Sequence, residues 1–202
     1  MEQQAGGSEL GKIISVGSSG GRTGRLIAAA VFDPPAMAAG LATLAAAWPR
    51  SRQSVSGGML SAFVRTRKNK GRGYAGASSQ RIVRIKDIRF LQLLDEQLRD
   101  NSDTYISVPS KGHPAALERD ALDLITAKGL GGTYGPSLIV MKSARGFRFH
   151  CSDAGGSGIR PLTSDSPFVR TVFPDLFTAG LATLLPGYAA YSEYPGRAAR
   201  LS

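Results

Sequence analysis

The cationic side chains of this sequence are concentrated in one stretch, from Pro34 to Lys86, that contains no Asp or Glu. That stretch carries ten of the 25 Lys and Arg residues, whereas the rest of the chain holds fifteen basic and fifteen acidic residues. The formal net charge of +10 therefore arises from about a quarter of the sequence. A phosphate backbone attracts cations that have no counter-charges beside them, and each neutralised phosphate releases a counterion. The distribution predicts a protein that binds a polyanion.

Nucleic acid, either RNA or DNA, is the polyanion that this stretch favours. The predicted phosphate contacts lie in a Gly- and Ser-rich loop at residues 50–79 and on a strand predicted directly after it: Arg65, Arg67, Lys68, Lys70, Arg72, Arg84 and Lys86. Tyr74 is predicted to stack on a base. A membrane partner is not predicted, because the sequence has neither a long basic amphipathic helix nor a run of 18 apolar residues. The alternative is a solvated loop whose charge serves solubility.

A second candidate for chemistry is the glycine-rich stretch Gly17–Gly24. It is predicted as a loop between a strand at 12–16 and a helix at 25–32. The amino terminus of a helix binds phosphate readily. The phosphate contacts would then be Gly20, Gly21, Arg22 and Gly24. A plain flexible linker is the alternative without function.

The same stretch carries two family resemblances that imply an enzyme. Its residues 17–21 (GSSGG) fit G-x-S-x-G and resemble the nucleophile elbow of α/β-hydrolases, which implies Ser19 as nucleophile with His113 or His150 as base. The run VGSSGGRTGR is similar to the first turn of atypical short-chain dehydrogenases, which implies a nucleotide-dependent oxidoreductase. These are the alternatives to a non-enzymatic protein, and no catalytic residue is assigned with the favoured function.

The stretch Arg145-Gly146-Phe147-Arg148-Phe149 resembles the first half of the RNP1 segment of RNA-recognition-motif domains. In that family a basic residue and a Gly precede a strand whose alternate aromatic residues stack on bases. The resemblance implies a stacking role for Phe149. Strand alternation places Phe147 and Phe149 on one face and Arg148 and His150 on the other, and we favour core positions for both Phe rings.

Metal and cofactor chemistry is not predicted for this chain. Two His and one Cys cannot form a site of four ligands unless carboxylates contribute. Because Cys151 is the only cysteine, it cannot form an intramolecular disulfide, and we expect an intracellular (cytoplasmic) setting or a nucleoprotein particle.

The order of the predicted strands and helices, which must position these residues, indicates an α+β fold. A small mixed sheet of order β-α-β-α-β-β is expected over residues 80–152, with helices on one face. Its strands are predicted at 81–86, 104–108, 137–142 and 147–151, and its helices at 87–100 and 114–128, the second ending at Gly129.

One domain is predicted, with five parts: a flexible lead (1–11), a Gly-rich loop with apolar helices (12–49), the basic loop (50–79), the α+β core (80–152), and a loop, apolar helix and Tyr-rich tail (153–202). An Ala-rich helix is predicted at 37–48. The hexamer AGLATL occurs at 39–44 and again at 179–184, each time after a Val-Phe pair. The repeat indicates either two similar buried helices or an old duplication. The favoured function is a non-enzymatic nucleic-acid-binding protein, as a monomer, a homo-oligomer or a subunit of a coat-like or ribosome-associated assembly.

Overall fold

The computed structural model of the protein describes residues 9–21, 24–47, 88–110, 116–133, 135–143, 146–154 and 157–193. These ranges contain six strands: β1 (Lys12–Gly21), β2 (Gly24–Phe32), β3 (Ser102–Ser110), β4 (Ser137–Ser143), β5 (Gly146–Ser152) and β6 (Arg160–Leu162). They also contain five helices: α1 (Pro34–Ala46), α2 (Ile88–Asn101), α3 (Leu117–Lys128), α4 (Pro167–Val172) and α5 (Leu176–Glu193). The predicted α+β class is confirmed.

The six strands form one mixed sheet of order β3-β2-β1-β4-β5-β6. β1 pairs in parallel with β4, and the other neighbours are antiparallel. β1, β3 and β4 therefore run in the same direction. The β1–β2 and β4–β5 connections lie at one end of the sheet, which we call the hairpin end. The opposite end holds Lys12, Phe32, Ser102 and Ser137.

Residues 25–32 form most of β2, so the prediction of a helix there is wrong. β2 pairs with β1 on one side and with β3 on the other. Its three alanines, Ala28, Ala29 and Ala30, are at most 1% exposed. Alanine favours helices and is depleted in strands. A central strand covered on both faces nevertheless needs small side chains where a helix approaches closely, and that packing outweighs the local preference.

The predicted loop from Gly17 to Gly24 is also wrong, because β1 continues to Gly21 and β2 begins at Gly24. Gly17 faces α5, where an added Cβ would overlap the backbone of Gly187 and lie 2.9 Å from the carbonyl oxygen of Thr183. Close approach of helix and sheet, rather than loop flexibility, therefore requires glycine at this position.

The contact between β1 and α5 also explains how α5 tolerates Pro186 in its interior. Proline has no N–H, so the carbonyl four residues earlier, at Ala182, lacks its helical donor. Ser15 Oγ, fully buried on β1, donates a hydrogen bond of 2.5 Å to that carbonyl oxygen. The sheet thus satisfies the acceptor that the proline leaves open.

Pro34 and Pro35 mark the start of a helix. They occupy the first turn of α1, where a proline loses no helical hydrogen bond. The helix predicted at 37–48 therefore begins three residues earlier, and Trp48 lies outside the described residues. β2 and α1 are separated only by Asp33, which makes a tight reversal onto the sheet.

Helices cover both faces of the sheet, whereas the sequence predicted one. Side chains alternate along β1, so Ile13 and Ile14 face opposite sides of the sheet. Ile13 belongs to a core with α1, α2, α4 and α5. Ile14 belongs to a second core with α3. α3 packs against β2 and β4 on that second face through Leu124 and Ile125. Local periodicity identifies an amphipathic helix but not the side of the sheet that receives it.

The remaining predictions for residues 80–152 are largely confirmed. The predicted helices at 87–100 and 114–128 correspond to α2 and α3, and Gly129 ends α3 in the left-handed conformation with φ 60°. The predicted strands at 104–108, 137–142 and 147–151 correspond to β3, β4 and β5. The strand predicted at 81–86 lies outside the described residues, whereas β1 and β2, from outside this range, occupy central positions in the sheet.

Candidate functional site: the hairpin end of the sheet

The predicted nucleic-acid contacts all lie in residues 48–87, outside the described part of the chain. This applies to Arg65, Arg67, Lys68, Lys70, Arg72, Tyr74, Arg84 and Lys86. Their role stays a prediction from sequence. The residues on either side of this segment, up to 47 and from 88 onward, are described.

Both ends of the segment 48–87 attach to neighbouring helices. α1 starts beside the opposite end of the sheet, and the last residue of α2 precedes β3 at that same end. Gly40, in α1, lies against Gln97 near the end of α2; a Cβ there would be 3.1 Å from the Gln97 side-chain oxygen. The two helices therefore pack against each other in the folded body.

Charge is divided unevenly between the described residues and the rest of the chain. The described ranges hold ten basic and thirteen acidic residues, whereas the remainder holds fifteen basic and two acidic residues. Ten of those fifteen undescribed basic residues lie within Pro34–Lys86.

Lys142 is the described lysine at the hairpin end. It lies on the α5 face of β4, and its Nζ is 5.7 Å from the centroid of the Phe147 ring on the paired strand. Burial lowers the pKa of Lys142 to about 8, because the charged ammonium loses hydration there. No ion pair to Lys142 is present among the described residues. The side chain is half-buried and available to an anion.

Gly20, Gly21 and Gly24 lie at the tip of the β1–β2 hairpin, and Arg22 falls in the two-residue gap between the described ranges. The phosphate-binding hypothesis assumed a helix starting after this stretch, and β2 is there instead. The hydrolase and dehydrogenase resemblances both require a strand, a turn and then a helix. Residues 9–21 and 24–32 do not form that arrangement. Ser19 is a strand residue, and His113 lies outside the described residues.

The RNA-recognition-motif resemblance is not supported by the sheet. In the observed order, β3 and β5 are separated by three strands. Phe149 is 3% exposed and packs against Phe173, with ring centroids 6.1 Å apart. Phe147 packs against the same core. The prediction of a core position is confirmed for Phe149, whereas Phe147 is only partly buried against that core.

The sequence predicted only part of a polar cluster that lies on the other face of β5. Alternation predicted that Arg148 and His150 share a face, but not that Glu118 of α3 meets them. His150 Nε2 is 3.2 Å from Glu118 Oε1, and Arg148 Nε is 3.9 Å from Glu118 Oε2. Burial lowers the pKa of His150, and Glu118 opposes that shift. A neutral imidazole then donates from Nε2 to the carboxylate and ties the first turn of α3 to the sheet.

This cluster leaves three buried polar atoms without a hydrogen-bond partner: Arg148 Nε, His150 Nδ1 and Ser152 Oγ. The residues His150 and Ser152 are nearly inaccessible, at 5% and 0% exposure. A substrate would need access that this burial denies. The arrangement therefore serves helix attachment, and we assign it no catalytic role.

Two further features of the described residues bear on ligands and membranes. They contain no group of three or more His, Cys, Asp or Glu side chains arranged to hold a metal ion. Within the same ranges, every helix is too short or too polar to span a bilayer. Comparison with known proteins finds no matching family model, no similar curated protein and no similar solved structure.

Proposed function

We propose that the protein binds nucleic acid through the acid-free basic region 50–86 and catalyses no reaction itself. The observation that carries this proposal is the separation of charge along the sequence: Pro34–Lys86 carries ten basic residues and no acidic one, whereas the rest of the chain holds fifteen basic and fifteen acidic residues. Cations placed in one acid-free segment are free of intrachain carboxylates nearby in sequence. When such cations bind phosphates, the counterions that had surrounded the phosphates are released, which favours binding.

The body supports the proposal by the way it holds the segment. α1 and α2 pack against each other and against the sheet through buried side chains, including Leu41, Leu44 and Leu94. The segment is therefore joined at both ends to helices that belong to one core. Tethering at both ends limits the conformational freedom that ligand binding must remove.

The test is binding of fluorescent single-stranded RNA and DNA oligonucleotides across salt concentrations. The test variant replaces Arg65, Arg67, Lys68, Lys70 and Arg72 with Gln. We expect the slope of log affinity against log salt to become shallower by about 3.5 if all five contact phosphates of a single strand, at about 0.7 per contact. Failure of the native protein to bind at low salt, or an affinity independent of salt, would refute the proposal.

A matched control separates specific contacts from net charge. It replaces five exposed cations of the described body with Gln: Arg99, Arg119, Lys128, Arg160 and Arg170. Both variants lose five charges, but only the first loses them from the basic segment. Equal losses of affinity would show that the protein acts through its net charge alone.

Tyr74 tests the predicted stacking contact independently of charge. A base stacked on an aromatic side chain contributes about 1–3 kcal/mol in single-stranded complexes. Tyr74→Leu should therefore weaken single-strand binding by about fivefold to 150-fold while leaving the salt dependence unchanged. An unchanged affinity would remove Tyr74 from the site and leave the phosphate contacts in place.

A homo-oligomer or a subunit of a nucleoprotein assembly stays a prediction. Mass photometry with and without bound oligonucleotide distinguishes a monomer from such an assembly.

A further inference from the structure

We draw no further inference here: the strongest candidate, the polar cluster of Glu118, Arg148 and His150 between α3 and β5, belongs to the helix attachment already described, and a proton-driven switch there would rest on the lowered pKa of His150 alone.

Discussion

The contact between Ser15 and α5 gives a quantitative test of how this fold tolerates a proline inside a helix. Pro186 cannot donate to the carbonyl of Ala182, and Ser15 Oγ supplies that hydrogen bond at 2.5 Å. Ser15→Ala removes the donor and changes the side-chain volume little. Pro186→Ala restores a backbone N–H that can reach the same carbonyl in a regular helix.

The two substitutions should therefore be strongly coupled. Ser15 is fully buried, so Ser15→Ala leaves a buried carbonyl without a partner, at a cost of about 1–3 kcal/mol. In the Pro186→Ala background the helix supplies its own donor, and the same change should cost about 0.5 kcal/mol or less. The expected coupling free energy is about 1–2 kcal/mol, within the range seen for residues that share one hydrogen-bond network.

The assay is urea unfolding of the native protein, both single variants and the double variant, followed by far-ultraviolet circular dichroism. Equal m-values would show that the variants expose similar surface on unfolding, which makes the four free energies comparable. Thermal unfolding should show Ser15→Ala melting about 4–8 °C lower for a loss of 2 kcal/mol. Additive effects in the two backgrounds would refute the reasoning, because they would show that Ser15 does not substitute for the missing helical donor.

Four further outcomes are expected. Gly17→Ala should destabilise by about 1–3 kcal/mol in urea unfolding, since its Cβ meets the α5 backbone, whereas Gly40→Ala, which meets only a flexible side chain in a helix, should be neutral or stabilising. Lys12→Met should lower the free energy of unfolding by about 0.5–1 kcal/mol at pH 7. The ion pairs of Lys12 raise its pKa, so this contribution to stability disappears as pH rises above 10.5. An unchanged profile of stability against pH in the alkaline range would contradict this prediction. Burial lowers the pKa of His150, so stability should fall as pH drops below about 6.5, and His150→Gln should flatten that part of the urea–pH profile. Phe149→Ala should cost about 3–5 kcal/mol, and the fraction that stays folded should bind RNA with native affinity; selective loss of binding would restore a stacking role.

The sequence predicted elements whose signal is local. The apolar stripe of α3 and its Gly129 stop are complete within fifteen residues, and the alternation of β5 correctly separated Phe149 from His150. The prediction failed where the deciding partner is distant in sequence. β2 is a strand because β1 and β3 flank it, and α3 lies on the second face because its apolar stripe fits there. Neither fact is contained in the residues of the element itself.

The candidate site divides in the same way. Net charge and its concentration in residues 50–86 follow from sequence alone, because they do not depend on folding. The position of Lys142 at the hairpin end required the strand order. The sequence alone does not single out Lys142, since SLIVMK predicts only an apolar strand that ends in a lysine.

The hexamer AGLATL shows the division most directly. Both copies are helical, as their composition predicts, and both helices contribute to the same core. All six residues are buried in α5, whereas Ala39, Ala42 and Thr43 are exposed in α1. The preceding Val-Phe pair ends a strand before α1 and lies at the end of a helix before α5, so the two copies sit in different local structure. The hydrogen bonds of a helix are local, so these six residues are sufficient to predict one. The exposed fraction of each helix depends instead on residues from elsewhere in the chain that pack against it.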